Sequence, residues 1–458
     1  MAKPGRQAGK QVAVVGGGWA GCAAAVELAA AGCAVTLFEA ARSLGGRARG
    51  VALHGRMLDN GQHLLLGAYT DTLRLLRRVG IDPNQALLKL PLQMRYPAGS
   101  GGMDFVAPRL PAPLHLAAAL LRARGLAGAD KMALARFSSS ARWMGWQLHA
   151  DCSVSELLER FDQTARLVQL MWRPLCLAAL NTPPERASAQ VFLAVLRDSL
   201  GAGRAASDML LPRRDLGALF PDAAATFIAQ HGGTVHCGAR VSALAQDGAG
   251  WRVEAAGHAL KGNASARFDA VVLASAPPAA AILLEALPLD AIRAQLGAFD
   301  YEPISTCYLQ YPLDVRLALP FYALLDDPAL NHWGQFVFDR GQLDPAQAGL
   351  FSVVVSASGA AAALDQAALA QAITAQLAAV FRRPGLASPA WRQVITEKRA
   401  TFACTPGLPR LATATGLAGL VLAGDYTASD YPATLESAVR SGAAAARAIL
   451  AMAAPAPA

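Results

Sequence analysis

The 458-residue sequence has no uninterrupted apolar run of the ~18 residues that a membrane-spanning helix needs, although 54% of it is hydrophobic. The nearest approaches, Ala270–Leu287 and Ala360–Val380, are broken by Pro277-Pro278 and by Asp365, Gln366, Gln371 and Gln376. No spanning helix is therefore expected. Charge is also sparse, at 16% of residues, so the apolar content is enough for sizeable cores and disorder is excluded. Much of the mean hydropathy of +0.30 comes from alanine, which favours helix while adding little apolar surface. Cysteine is scattered, at positions 22, 33, 152, 176, 237, 307 and 404, with an odd total and no C-x-x-C. That excludes a disulfide framework and fits free thiols in a reducing compartment. The eight histidines form no H-x-x-x-H pair, so no metal site is expected. No Lys/Arg run carries interleaved aromatics, so the formal charge of +8 is not read as nucleic-acid binding. An anionic membrane surface is the better use for the excess. The start, MAKPGRQAGK, is basic but leads straight into an apolar strand without a cleavage site, so a cytoplasmic chain is expected, peripheral on the inner membrane.

What is present is concentrated in residues 11–63. Val12–Val15 reads as a buried parallel strand, followed at once by Gly16, Gly18 and Gly21 in the spacing G-x-G-x-x-G. An Ala- and Leu-rich helix runs to about residue 31 and is closed by Gly32, and a second strand, Ala34–Phe38, ends at Glu39. Each residue type has a physical task. Gly16 allows the tight turn, Gly18 lets a pyrophosphate approach the backbone, and Gly21 lets helix and strand pack closely. The pyrophosphate then sits on the free N–H groups of the helix start. Glu39 would accept hydrogen bonds from the adenosine ribose hydroxyls. With strand, helix and acid all in register, the unit is a dinucleotide site.

The next residues narrow the cofactor. Arg42, Gly45, Gly46 and Arg47 form R-x-x-G-G-R, and Asp59-Asn60-Gly61-Gln62-His63 follows. A plain nicotinamide-binding unit has no need of this second glycine–arginine turn. The pattern resembles the flavoprotein superfamily of amine oxidases and carotenoid desaturases, in which that turn helps to hold FAD.

Further along, an amphipathic helix ends in Arg77-Arg78, and strand, turn and strand form a hairpin around Gly99–Gly102. Residues 107–150 contain Pro108, Pro111 and Pro113 and then long helical stretches, with Arg122, Arg124, Lys131, Arg136 and Arg142 among Leu, Ala, Met and Trp. This reads as a substrate domain with one amphipathic helix able to lie on lipid. Ordinary packed helices with solvated arginines would give the same pattern. Ser153 and Glu156 have the spacing of a capping box. The apolar segment MWRPLCLAALNTPPERAS reads equally as tunnel lining or as core, with Pro174 kinking a helix and Pro183-Pro184 ending one. Leu219–Gln230 reads as a helix closed by Gly232-Gly233, and a three-strand meander then leads to the buried strand Ala270–Leu273. The region 286–394 is β-rich, with strands at Ser305–Gln310, Gly334–Phe338 and Leu350–Ser356 and a helix at Leu364–Phe381.

The last motif is LAGLVLAGDYTASDYPATLESAVRSG. Strand Leu420–Leu422 ends at Gly424-Asp425, and Tyr431–Glu436 opens an Ala-rich helix with Pro432 at its start and Glu436 in its first turn. In the superfamily such a Gly-acid pair meets the flavin ribityl and pyrophosphate, and the helix start points at the pyrimidine end of the ring.

Taken together, VVGGGWAGCAAAVELAAAG, FEAARSLGGRAR, DNGQHLLLGAY, EKRATFACTPGLPR and AGDYTASDYPATLESAVRSG resemble the hydroxysqualene dehydroxylases. These are squalene-associated, FAD-dependent relatives of the phytoene desaturases in bacterial hopanoid biosynthesis. The resemblance covers nearly the whole chain. It implies an α/β fold: a Rossmann-type FAD-binding domain of the amine-oxidase (GR2) kind, with an inserted α+β substrate domain. The cofactor domain is expected at 10–90, 211–285 and 395–458, and the substrate domain at 91–210 and 286–394. FAD would be held by Gly16, Gly18, Trp19, Ala20, Gly21, Glu39, Ala40, Arg42, Gly45, Gly46, Arg47, Gly61, Gln62 and His63. From later in the chain it would meet Val241 (through its backbone, at the adenine), Gly424, Asp425, Ala433, Thr434 and Leu435.

The implied reaction is reductive loss of the hydroxyl of hydroxysqualene, giving squalene and water. Hydroxide leaves badly, so a proton must reach the oxygen. His63, Asp59 and Tyr431 are the candidate donors, and Lys398 is a weaker candidate by analogy with the amine oxidases. The expected partners are a hydrophobic isoprenoid substrate, a peripheral membrane contact and neighbouring squalene-pathway enzymes, with no nucleic acid. The alternatives are a carotenoid (phytoene-type) desaturase or isomerase, a soluble amine oxidase, and a flavin-bearing scaffold without turnover.

Overall fold

The computed structural model describes residues 9–257 and 262–452. The basic residues 1–8, residues 258–261 of the meander and the last residues 453–458 of the expected cofactor domain lie outside them. The Val12–Val15 run is almost wholly buried because it is the middle strand of a parallel sheet. The strands of that sheet are β1 (Gln11–Val15), β2 (Ala34–Glu39), β3 (Thr234–Cys237), β4 (Ala270–Leu273) and β5 (Leu420–Leu422), in the order β3-β2-β1-β4-β5. Val12 to Val15 align with Ala270 to Leu273 on one side and with Val35 to Phe38 on the other. A parallel sheet covered on both faces needs apolar residues at successive positions, which is why these strands do not alternate.

Helix α1 (Trp19–Ala30) and the C-terminal helix α2 (Leu435–Ala451) pack together against this sheet. The abundance of alanine has its reason here. Every residue of α1 from Trp19 to Val26 is buried. A Cβ at Gly442 of α2 would stand 2.2 Å from the Ala20 carbonyl oxygen, so the two backbones touch where only glycine fits. The helix α2 does not start where the sequence suggests. Thr434 Oγ1 accepts the Ser437 N–H at 3.1 Å and Ser437 Oγ accepts the Thr434 N–H at 3.0 Å, so the capping box begins the helix at Leu435 and leaves Pro432 outside it. Similarly, Leu216–Leu219 and Pro221–Gln230 are two helices, because Phe220 departs from helical geometry before Pro221.

A second sheet, antiparallel, has the order 321–323, 336–339, 350–355, 301–310 and 391–402. Leu369, Ile373 and Leu377 of the helix Gln366–Val380 pack on it beside Leu309, Phe351 and Val353. The sequence boundary at 394/395 falls inside the strand Trp391–Phe402, which pairs along its length with Tyr301–Gln310. Pairing therefore keeps this strand whole within the second sheet, and the boundary is corrected accordingly. The helices Leu114–Arg122, Gly128–Trp143, Arg173–Leu180 and Ala189–Leu196 form a separate apolar wall. Two π-helical turns, Val168–Trp172 and Arg197–Gly201, interrupt it. Ser153 and Glu156 form the expected capping box.

Glu436 ties the two ends of the chain together. It is fully buried, and its carboxylate accepts the N–H groups of Asp71 (3.0 Å) and Thr72 (2.9 Å), the Thr72 hydroxyl (2.7 Å) and Arg440 Nε (2.8 Å). It thus caps the helix Thr70–Arg78 from outside that helix. Glu436→Ala is expected to cost about 3 kcal/mol, because it leaves buried donors without an acceptor. A urea midpoint equal to that of the wild type would refute this role.

Candidate active site

The two glycine turns that the sequence picks out lie against each other. Gly16 adopts φ +109°, and a Cβ there would meet the Ala274 carbonyl oxygen at 2.6 Å. A Cβ at Gly21 would stand 1.8 Å from the Gly16 carbonyl oxygen, so Gly21 serves the packing of α1 on the turn. At Gly18 a Cβ would meet nothing within 4 Å, because it would project into open space. The Gly45 N–H donates to the Gly17 carbonyl at 2.8 Å, and Gly18 and Gly45 form a bridge in parallel register. The R-x-x-G-G-R turn is thereby joined edge to edge to the first turn.

Arg47 carries the connection across the chain. Its Nη1 donates to the Ala400 carbonyl at 2.7 Å and its Nη2 pairs with Asp425 Oδ2 at 2.6 Å. Arg410 then gathers the loop after Asp425, donating to the carbonyls of Asp425, Ser429 and Tyr431, with its guanidinium 5.0 Å from the Phe402 ring centroid. Motifs from opposite ends of the chain so frame one space.

That space is a contiguous cavity of about 1090 Å³. One half is polar and backbone-rich. It is lined by Gly16, Gly18, Trp19, Ala20, Glu39, Ala40, Gly45, Gly46 and Arg47 from the first motifs. Gly61, Gln62, His63, Val241, Gly424, Asp425, Ala433, Thr434 and Leu435 complete it. Glu39 already accepts the N–H groups of Gly17 (2.6 Å) and Ala41 (2.7 Å), and a carboxylate has further lone pairs for ribose hydroxyls. Gly18 is the N-cap of α1 and makes no side-chain cap, which leaves the first N–H groups of the helix for an anion. Ser275 and Tyr426 also line the cavity, and their hydroxyls are buried without a partner among the described residues. The open approach at Gly18, the uncapped helix start and these two hydroxyls fit FAD.

The other half is apolar. Leu92, Met94 and Phe105 come from the hairpin, Leu116, Leu120, Leu134 and Phe137 from the first helices, and Met171, Trp172, Leu175, Phe192 and Val195 from the segments around the π turns. The MWRPLCLAALN segment therefore does line a tunnel, through Met171, Trp172, Leu175, Ala178 and Asn181. Its Cys176 and Leu180 are core.

Some expected residues stand elsewhere. Asp59 is buried but does not line the cavity. Its Oδ1 accepts the Leu216 N–H at 2.8 Å, its carbonyl accepts the Tyr308 hydroxyl at 2.8 Å, and burial pushes its carboxyl up to about 6. Arg42 lies on an exposed turn and Lys398 on the outward side of its strand, both away from the cavity. Gly21 is likewise covered by backbone and does not face the cavity.

His63 and Tyr431 do line it. His63 Nδ1 lies 2.7 Å from the Gly61 carbonyl oxygen, which can only accept, so the neutral ring carries its proton on Nδ1 and leaves Nε2 free of that bond. Burial lowers its pKa below the usual range, and the charge of Arg47 adds to this against the Gly61 bond. The Tyr431 hydroxyl donates to Asp198, and burial together with that carboxylate pushes the phenol up to about 12. Asp198 is in turn held by Arg197, with Nε to Oδ1 at 2.6 Å. Asp198, Arg240, Ser275 and Glu397 also line the cavity, and none was singled out from the sequence. For Asp198 no local signal exists, because a π turn aims it at Tyr431. Gly18→Leu is expected to abolish FAD retention by filling the open approach, and Asp425→Ala to reduce it by leaving Arg47 unpaired. The purified variants are compared by flavin absorbance per protein, and a fully yellow Gly18→Leu would overturn the placement.

The family model of flavin containing amine oxidoreductases matches residues 19–450. A hydroxysqualene dehydroxylase of Rhodopseudomonas palustris is 30% identical over 464 residues, covering 96% of this chain and 99% of the relative. One from Sinorhizobium fredii is 29% identical over 452 residues, covering 94% and 96%. Among solved structures, an oxidoreductase from Methanosarcina mazei superposes with a TM-score of 0.70 at 16% identity, over 95% of this chain and 99% of that one, which shows the fold. With motifs from early and late in the chain lining one cavity, and with a match that spans the chain, this protein belongs to the flavin-containing amine oxidoreductase family, in its hydroxysqualene dehydroxylase branch.

Proposed function

We propose that this FAD-dependent oxidoreductase removes the hydroxyl of hydroxysqualene reductively, giving squalene and water, in squalene and hopanoid biosynthesis. The observation that carries the reading is the continuity of one cavity from the glycine turns to a long apolar wall. When bound and already reduced by two electrons, the flavin would supply the hydride that takes the place of the hydroxyl and would be left oxidised. The protein's share is to hold, orient and dehydrate. The first turn, Glu39, Arg47 and the loop at Asp425 hold the cofactor. Leucine, phenylalanine and tryptophan side chains exclude water around the polyene, so a developing allylic cation meets hydrocarbon and aromatic faces. The carbon–oxygen bond breaks as the oxygen takes a proton, and water leaves.

His63 is the proposed donor. The Gly61 carbonyl fixes one ring nitrogen, so a second proton is carried on Nε2 and delivered there. Tyr431 is a poor acid in this geometry, because its proton is committed to Asp198. A peripheral contact with the inner membrane from the cytoplasmic side, and hand-over to neighbouring squalene-pathway enzymes, complete the proposal. An amine substrate is disfavoured, because two of the acids lining the cavity are paired with arginines and the other two already accept hydrogen bonds within the protein. Glu39 accepts backbone N–H groups, Asp198 pairs with Arg197, Glu397 accepts from Asn60 Nδ2, and Asp425 pairs with Arg47.

Anaerobic incubation of photoreduced enzyme with hydroxysqualene should yield squalene and reoxidise the flavin. Dehydrogenation of phytoene by oxidised enzyme, with no squalene formed, would refute the reading in favour of a desaturase. The pH profile tests the donor. A lowered histidine pKa means that the acid form accumulates only below the usual 6.5 or so, so kcat should be low at and above that value and rise as pH falls through a midpoint beneath it. His63→Asn should flatten that limb and lower kcat by about 100-fold or more. A retained limb would exclude His63.

A further inference from the structure

The helices Leu114–Arg122 and Gly128–Trp143 have the same three-sided pattern. At about 100° per residue, Leu114 and Leu121 fall within roughly 20° of each other, and so do Met132 and Trp143. All four are exposed, at 57%, 76%, 60% and 89% respectively. One side of each stripe turns into the cavity, through Leu116 and Leu120 on the first helix and Leu134, Ser138 and Arg142 on the second. The opposite side is buried, with His115 and Ala119 on the first helix and Ala133 and Ala141 on the second. On another helix, Ile282 is 68% exposed and lines the same cavity. The apolar wall of the cavity thus continues over a rim onto the outer surface. The two helices meet where Lys131 Nζ donates to the Leu121 carbonyl at 2.8 Å, and large exposed apolar side chains on adjoining helices mark an interaction site.

The charge on the two helices and their flanks has one sign. Residues 107–150 contain Arg109, Arg122, Arg124, Lys131, Arg136 and Arg142 against a single acid, Asp130. Asp130 is buried and capped into its own helix, accepting the Ala127 N–H at 2.7 Å. The rim therefore presents cations around leucine, methionine and tryptophan, the composition that settles at the headgroup boundary of an anionic bilayer.

We infer that this rim is a bilayer-docking surface: Leu114, Leu121, Met132, Trp143 and Ile282 enter the lipid, and the surrounding arginines hold anionic headgroups, so that the mouth of the cavity opens into the hydrocarbon. The inference rests on the proposed reading of a long apolar substrate. Such a substrate resides in the membrane, and a mouth pressed into the bilayer lets it enter without crossing water. A protein surface with complementary acids is the competing occupant, and the charge pattern together with the continuous apolar path favours lipid. No helix among the described residues is long and apolar enough to cross the membrane, so the contact is peripheral.

The holoenzyme is floated with vesicles of phosphatidylglycerol and phosphatidylcholine, and with phosphatidylcholine alone. Binding is expected to the anionic vesicles, weakening as salt is raised. The double variant Leu121→Ser/Trp143→Ser should lose flotation while keeping its flavin, and Arg122→Gln and Arg136→Gln should each weaken binding about fivefold. Turnover is followed in two forms of substrate. With hydroxysqualene in anionic vesicles, Leu121→Ser/Trp143→Ser should fall at least tenfold. With detergent-dispersed hydroxysqualene it should match the wild type. Failure of the wild type on the detergent form would count against the proposed reaction, whereas vesicle binding reports on the surface alone. Wild type that does not float with anionic vesicles, or a double variant that floats as well as the wild type, overturns the inference.

Discussion

Arg47 and Asp425 are 378 positions apart in the chain and meet at 2.6 Å. The site depends on that pair. Arg47 follows the second glycine turn, and Asp425 ends the last strand of the parallel sheet, so the pair closes the first motif against the last. Asp425 is largely buried, so its carboxylate without Arg47 would carry a desolvation penalty of several kcal/mol, whereas the Arg47 side chain is 37% exposed. Around it the same joint is repeated in other forms. The Gly45 N–H bonds the Gly17 carbonyl, Glu436 caps the helix at Thr70, and α1 and α2 touch at Gly442. An Ala-rich, low-charge sequence is what such close backbone contact demands.

The joint also explains how one cavity serves two kinds of ligand. A dinucleotide needs backbone N–H groups, a carboxylate and glycines without Cβ, and the rim of the parallel sheet supplies them. A polyene needs area and dryness, and the helices with the π turns supply those. A π turn widens the helix locally, so Met171 and Trp172 at one turn and Asp198 at the other are aimed inward. The same helices turn their remaining faces outward as an apolar rim beset with arginines. Two helices thus serve as cavity lining on one side and core on another, and leave a third side exposed.

Much of the cofactor half was legible because its signals are local. A buried strand, a glycine turn, a helix start and a terminal acid occupy some thirty consecutive residues, and each follows from backbone sterics or the helix dipole. Of the antiparallel strands, Leu350–Val355 was legible within the expected Leu350–Ser356, whereas only Ser305–Gln310 of Tyr301–Gln310 was. Where local reading failed, the competing force was tertiary. Pro432 looked like a helix start, but the reciprocal bonds of Thr434 and Ser437 set the start later. Asp59 looked like an acid beside the chemistry, but the Leu216 amide holds it outside the cavity. The boundary near 395 divided a strand that pairing keeps whole.

The sequence by itself determined the class of fold, the dinucleotide motif and the family resemblance, because periodicity, glycine sterics and helix caps act over a few residues. Only the tertiary structure decided which polar groups face the cavity. Tyr431 and Asp198 are 233 residues apart, and their pairing turns a candidate acid into a committed donor. The tertiary structure also decided that the Arg- and Leu-rich helices wall the cavity and leave Leu121 and Trp143 uncovered, since which side of a helix is buried depends on what packs against it.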